Sequence, residues 1–270
     1  MDKQNTATKV DYRDKPIPLR QENAASALDY HTVPIDFTNP LFNEPLVSAS
    51  SHKLAAASYY AREDALNAPY YRKFATSLAD VWLRASVAEK LGQVNCGLAP
   101  YNAELLLFDG YRPISLQQEL WDHFINQAKL SLDNPTEEEC VRFAGLYCSD
   151  PRGYRDDDYR TWPTHNTGGA VDLALRSSAS HELLFFGGVF DDASDLSFTD
   201  YFECRVNSAD SASIVEARRN RRLLYWAMNE HGFANYAYEW WHFDFGTQMA
   251  IANANLQDKK AVYGRAALPE

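Results

Sequence analysis

The chain has 270 residues, 46% of them hydrophobic, with six tryptophans and fourteen phenylalanines, so it can bury a substantial core without staples. Its formal net charge of −11 opposes a nucleic-acid partner, whose phosphates would be repelled. No run approaches the roughly 20 apolar residues that span a bilayer, and Met1 to Gln21 is too polar for a secretory signal, so no membrane partner is expected and a cytoplasmic setting is.

Residues 1–28 lack apolar periodicity and read as a flexible tail ahead of one domain over 29–270. Pro34, Pro40 and Pro45 then break an extended stretch. The spacing of Leu54, Ala57, Ala61 and Ala65 predicts a helix stopped by Pro69. Phe74, Leu78, Val81, Trp82, Ala85 and Ala88 predict a second, closed by Gly92, and together these form a helical N-terminal portion. Leu105 to Phe108 reads as a strand buried on both faces, turning at Asp109-Gly110. A helix follows from Pro113, and another opens at Pro135-Thr136 with acidic residues where the helix dipole favours them. Ser149 to Thr164 reads as a long loop. Ala170 to Leu175 alternates as a strand, with Ala170, Asp172 and Ala174 on one face. Val215 to His231 predicts a basic amphipathic helix ended by Gly232, and Tyr236 to Phe245 is aromatic and strand-like. Helices and short strands without a βαβ rhythm predict an α+β fold. Cys96, Cys140, Cys148 and Cys204 contain no C-x-x-C pair, so reduced thiols are expected rather than a four-cysteine zinc site.

Of seven histidines, five lie where no acidic or histidine partner stands at ligand spacing. His165 and His242 differ. His165 ends the polar loop, Gly168-Gly169 allows a tight turn, and Asp172 follows inside a largely apolar strand, where a carboxylate is costly unless paired or metal-bound. The segment reads equally well as an aspartate capping the turn beside a surface histidine. Glu239-Trp240-Trp241-His242 offers a base and a nitrogen ligand, or simply two core tryptophans. Residues three apart on an ideal strand face opposite ways, so the first reading demands a bend between Glu239 and His242. Two histidines and an aspartate leave zinc an open position, as in catalytic rather than structural sites. Hydrolysis also needs oxyanion stabilisation, for which Arg112 is the candidate, although a salt bridge to Asp109 would equally occupy it.

In this order, Asp109-Gly110-Tyr111-Arg112-Pro113, His165-x6-Asp172 and Glu239-Trp240-Trp241-His242 resemble the motifs of the D-alanyl-D-alanine dipeptidases, the VanX-like zinc peptidases. The resemblance extends through Phe190-Asp191 and Asn220-Arg221-Arg222-Leu223-Leu224, covering roughly residues 100–246. It implies a small mixed or antiparallel sheet with surrounding helices, the fold shared with zinc D,D-carboxypeptidases and the hedgehog domain. It implies one zinc per chain on His165, Asp172 and His242, Glu239 as general base and acid, and Arg112 on the scissile carbonyl. Asp191 would hold the dipeptide ammonium and Thr164 would contact substrate, although Pro163-Thr164 departs from the serine that family members often carry there. The expected reaction is hydrolysis of D-Ala-D-Ala. Longer peptidoglycan peptides and a non-catalytic zinc-binding role are the alternatives. Oligomeric state is not encoded in any of these features.

Overall fold

The computed structural model describes residues 10–20, 27–204, 207, 209–254, 256 and 258–269. In chain order the elements are β1 (Leu46–Ser48), β2 (Ala55–Ala56), β3 (Trp82–Arg84), α1 (Ala85–Leu98), β4 (Ala103–Asp109) and α2 (Ile114–Ser131). They continue with α3 (Glu137–Ala144), β5 (Ala170–Ser177), α4 (Ala212–Glu230), β6 (Ala234–Asn235), β7 (His242–Asp244) and α5 (Gln248–Asn253). β1 and β3 form an antiparallel pair. The main sheet has the order β2-β4-β5-β7-β6, with only the β2–β4 edge parallel. The fold is α+β, as the element pattern predicts.

Alternation along β5 explains why this sheet has one greasy face and one reactive face. Leu105 opposes Leu175, Leu107 opposes Leu173, and Val171 opposes Phe243, all fully buried. α1, through Val87, Leu91, Val94 and Leu98, and α4, through Leu223, Leu224, Ala227 and Met228, complete that core. Each of the valine, leucine, phenylalanine and methionine side chains contributes about 1.5–3 kcal/mol when removed from water. The intervening residues Ala170, Asp172 and Ala174 point the other way. Across the strands Asp109 pairs with Asp172 and Asp172 with His242, so three polar residues form a row on that second face.

The register shifts between Leu107 and Asp109. Without the extra residue, Phe108 would oppose Asp172 and Asp109 would point at the leucine core. The bulge is what aims the Asp109 carboxylate at the site.

The predicted helices at Pro113 and Thr136 are α2 and α3, the latter with a full capping box between Thr136 and Glu139. Two expectations upstream fail. The segment from Leu54 is not helical. Ala55 and Ala56 pair with Leu106 and Leu107, Ala57 N–H donates to the Leu107 carbonyl at 2.8 Å, and Ala65 has φ 57°, outside the helical region. Its alanines never form a buried stripe, and an edge strand on β4 satisfies the backbone instead. The next helix starts eleven residues later than Phe74, at Ala85, because Trp82–Arg84 pairs with β1. It runs through Gly92, since the buried stripe continues to Leu98 and outweighs the ~1 kcal/mol a helical glycine costs.

Part of the expected tail is packed as well. Tyr12 and Ile17 are buried, Lys15 lies over the Trp226 ring of α4, and the Trp226 indole donates to the Lys15 carbonyl at 2.9 Å. These are isolated side-chain contacts with no periodic signature. Residues 1–9 and 21–26 lie outside the described residues. Among the described residues no helix is long and apolar enough to cross a membrane, and no two cysteines form a disulfide.

Candidate active site

His165, Asp172 and His242 come together from a 3-10 turn (Thr164–Thr167), β5 and β7, and all three are buried. His165 Nε2 lies 3.2 Å from His242 Nδ1 and 3.3 Å from Asp172 Oδ2, and His242 Nδ1 lies 3.0 Å from Asp172 Oδ1. The far nitrogens fix the tautomers. His165 Nδ1–H donates to the Gly110 carbonyl at 2.8 Å, and His242 Nε2–H donates to Asp244 Oδ2 at 2.7 Å. Two nitrogen lone pairs and a carboxylate therefore face one point, an arrangement that is repulsive unless positive charge sits among them. Tetrahedral ligands about 2.0–2.1 Å from a zinc ion stand about 3.3 Å apart, so the donor spacing fits a small tetrahedral dication.

Backbone packing sets these positions. A Cβ on Gly110 would lie 2.4 Å from the Trp82 carbonyl, which accepts from Tyr111 N–H at 2.6 Å. Only glycine lets the turn approach β3 so closely and present its carbonyl to His165. Gly168, at φ 72°, closes the turn after His165 in the left-handed region. Arg84, almost wholly buried, ties the same turn to the termini by donating to the carbonyls of Thr167, Glu44 and Gly264.

The bend demanded between Glu239 and His242 is present. His242 N–H donates to the Glu239 carbonyl, and Asn235 Nδ2 bonds the carbonyls of both residues at 3.1 and 3.0 Å. Strand structure begins only at His242, so the expected strand from Tyr236 is a turn over residues 236–241. Trp240 and Trp241 are core, with Trp240 stacked on Phe186 at 4.3 Å between ring centroids. The core reading of the two tryptophans holds, and the buried indoles anchor a turn that puts Glu239 Oε2 3.7 Å from His242 Nδ1.

Arg112 donates from Nε to Asp109 (2.8 Å), from Nη1 to Gln117 (3.1 Å), and from Nη2 to Tyr60 (3.2 Å) and Asp172 (3.3 Å). Asp191, half-buried at φ 56°, accepts from the hydroxyls of Tyr60 and Tyr70, each at 2.8 Å. Thr164 gives its hydroxyl to Asp244. All seven residues singled out from the sequence line one cavity of about 100 Å³.

A family profile described as D-ala-D-ala dipeptidase matches residues 52–261. The chain belongs to that family. It is 30% identical over 197 residues to a D-alanyl-D-alanine dipeptidase of Synechocystis sp., covering 68% of this chain and 78% of that one. It is 32% identical over 161 residues to the Enterococcus faecalis D-alanyl-D-alanine dipeptidase, covering 58% and 70%. Among solved structures, VanYB in complex with D-Alanine-D-Alanine aligns over 65% of this chain and 79% of that one, at 13% identity and a TM-score of 0.38.

As a dipeptidase-family member the chain is a metallopeptidase, and its electrostatics suit a cation. Five carboxyl groups (Asp109, Asp172, Asp191, Glu239 and Asp244) share the site with one guanidinium. Despite burial, His165 and His242 hold Asp172 well below the usual carboxylate range. Burial opposes charge on His242, but Asp244 and Asp172 outweigh it and raise its pKa well above the ordinary value. Burial, with Asp172 nearby, pushes Asp191 up to about 7. Burial, opposed by His242 and aided by Asp172 and Asp191, pushes Glu239 up to about 8.

Sequence reasoning missed Asp244, Asn235, Tyr60 and Tyr70 in this dipeptidase-family site. Asp244 had a signal, since H-x-D on a strand puts both side chains on one face. Tyr60 had none once its segment was read as helical, and Tyr70, just past the expected stop at Pro69, carried no signal of its own.

Proposed function

We propose that the chain is a zinc-dependent dipeptidase that hydrolyses a free D,D-dipeptide, D-Ala-D-Ala above all, with one zinc held by His165, Asp172 and His242. The observation that carries this reading is the convergence of three donors at tetrahedral spacing, each oriented from behind, beside a carboxylate and a guanidinium. When bound, zinc supplies a Lewis acid that lowers the pKa of water to about 7 and polarises a carbonyl. Glu239 Oε2 accepts the proton of the attacking water and passes it to the leaving amine. Arg112 keeps Nη2 at the edge of the cavity, between Tyr60 and Asp172, where it faces the carbonyl oxygen as charge develops. Asp191, steadied by two tyrosine hydroxyls, binds the dipeptide ammonium. Thr164 contacts substrate with groups other than its hydroxyl proton, which Asp244 holds.

The test is release of D-alanine from D-Ala-D-Ala by zinc-loaded protein. Glu239→Gln, which cannot accept the proton, should lower kcat about 10²–10⁴-fold while zinc still binds. Full activity in that variant would reject the mechanism, and no D-alanine from the parent would reject the substrate.

A second reading has an observation of its own. A cavity of about 380 Å³ adjoins the site, shares Asp191 and Glu239 with it, and is lined by Tyr147, Tyr236, Tyr238 and Trp241. Space beyond the ammonium position suits a peptide extended at its amino end. Relative rates on D-Ala-D-Ala and a stem pentapeptide decide between the two.

A further inference from the structure

Asn220-Arg221-Arg222 of α4 lines neither cavity of the site, yet two of its side chains bond the segment that carries Asp191. Arg221 is 2% exposed. Its Nε donates to the Phe186 carbonyl at 2.9 Å, its Nη1 to Phe198 at 2.7 Å and its Nη2 to Leu196 at 2.6 Å. Asn220 Nδ2 donates to the adjacent Phe185 carbonyl at 2.9 Å. A buried guanidinium is costly unless its donors are matched, and here main-chain carbonyls match them on all three nitrogens.

These carbonyls stand on both sides of Asp191 in the chain, so Arg221 closes residues 186–198 into a ring that carries it. Asp191 has φ 56°, and residues 193–195 are exposed, so that stretch lacks a core of its own to define its path. Phe190, packed on Tyr59 and Trp241, and the Ser197 hydroxyl, which donates to the Asp192 carbonyl, add fixed points inside the ring. The ring is bonded in turn to the segment that carries Glu239. Trp240 N–H donates to the Ser197 carbonyl at 2.9 Å and Thr199 N–H to the Ala237 carbonyl at 3.0 Å. The Trp240 ring stacks on Phe186, and the Arg221 guanidinium lies over the same indole, 5.6 Å from its centroid. One side chain of α4 therefore joins the backbone before Asp191, the backbone after it and the turn of Glu239.

We propose that Arg221 is a positioning residue for the substrate: by joining the carbonyls on either side of Asp191, it holds the carboxylate that receives the ammonium at one distance from Glu239. This inference rests on the dipeptidase reading above, in which Asp191 binds the ammonium.

Zinc-loaded parent, Arg221→Lys, Asp191→Asn and the double variant would be assayed on D-Ala-D-Ala, with zinc affinity measured for each. Lysine keeps the charge but cannot span three carbonyls. A misplacement of about 1 Å can cost about 10²-fold, so Arg221→Lys should raise KM about 10- to 100-fold, with kcat changed less and zinc affinity within about twofold of the parent. In Asp191→Asn, where the ammonium contact is already weakened, the same substitution should raise KM less than about threefold, because the two positions act as one. Ser197→Ala removes a single tether and should raise KM about 2- to 10-fold; it carries the test where Arg221→Lys does not fold. An unchanged KM in Arg221→Lys, or in Ser197→Ala standing in for it, overturns the inference and leaves the dipeptidase reading standing. So does a loss confined to kcat or zinc affinity, or an equal rise in KM with and without the Asp191 carboxylate. No cleavage by the parent overturns the dipeptidase reading, and this inference with it.

Discussion

Replacing Asp244 by asparagine tests the support behind the proposed metal ligands without altering those residues. Asp244 is fully buried and receives three donors: His242 Nε2 at 2.7 Å, Thr247 Oγ1 at 2.6 Å and the Thr164 hydroxyl. Asparagine keeps the shape but has one acceptor oxygen, so its amide nitrogen must oppose at least one donor in either orientation. Leaving a buried polar group unsatisfied costs about 1–3 kcal/mol. With roughly 2.1 cal/mol/K of unfolding entropy per residue, 270 residues give about 0.57 kcal/mol/K, and Tm should fall about 2–5 °C. With two threonine hydroxyls claiming the single amide oxygen, the amide nitrogen is left facing His242, which loses the partner that holds its proton on Nε2 and its Nδ1 lone pair toward Asp172. Loss of such a partner weakens metal binding about 10- to 100-fold. Competition with a chromophoric chelator measures zinc affinity, and calorimetry of the chelator-treated protein measures Tm. A lower Tm with zinc affinity within twofold of the parent would refute the orienting role, and no change in either would refute the reasoning altogether.

Arg112→Lys should lower kcat/KM about 10²–10³-fold with little change in zinc affinity, because one ammonium cannot span Asp109, Gln117, Tyr60 and Asp172. Steady-state kinetics beside a zinc titration checks this, and retained kcat/KM would exclude Arg112 from the reaction. Gly110→Ala forces a Cβ to 2.4 Å from the Trp82 carbonyl and should cost about 1–3 kcal/mol, while loosening the carbonyl that orients His165. Chemical denaturation and zinc affinity should therefore fall together. Asp191, with its pKa raised to about 7 in the folded protein, binds a proton that the unfolded chain releases near pH 4. Folding then takes up a proton between about pH 4 and 7, so stability declines as pH rises through that window and levels above it. In chelator-treated protein, Asp191→Asn should remove that decline, making its Tm advantage grow from pH 4 to 7; a constant difference would contradict it.

The core of the fold and most of the site were legible because their signals are local. Alternation over Ala170–Leu175 placed Asp172 on the face away from the leucines, and the element order from Leu105 to the helix ended by Gly232 matches the observed one. The mismatch between a straight strand and the pair Glu239 and His242 required a bend, and Asn235 holds that bend through two carbonyls. Where the signal misled, pairing partners lay far away. Alanines spaced like a helix became an edge strand because β4, some 50 residues on, offered unpaired backbone groups.

The sequence by itself determined which residues have the chemistry for the site and which strand face carries Asp172, since residue type and period-2 alternation lie within a few neighbours. Tertiary structure decided how those residues meet. The β4 bulge turned Asp109 away from the core, Asp244 fixed the tautomer of His242, and Tyr60 and Tyr70 reached Asp191 across more than 120 residues of chain. Such contacts depend on strand register and on the approach of distant backbone segments, which no short window of sequence specifies.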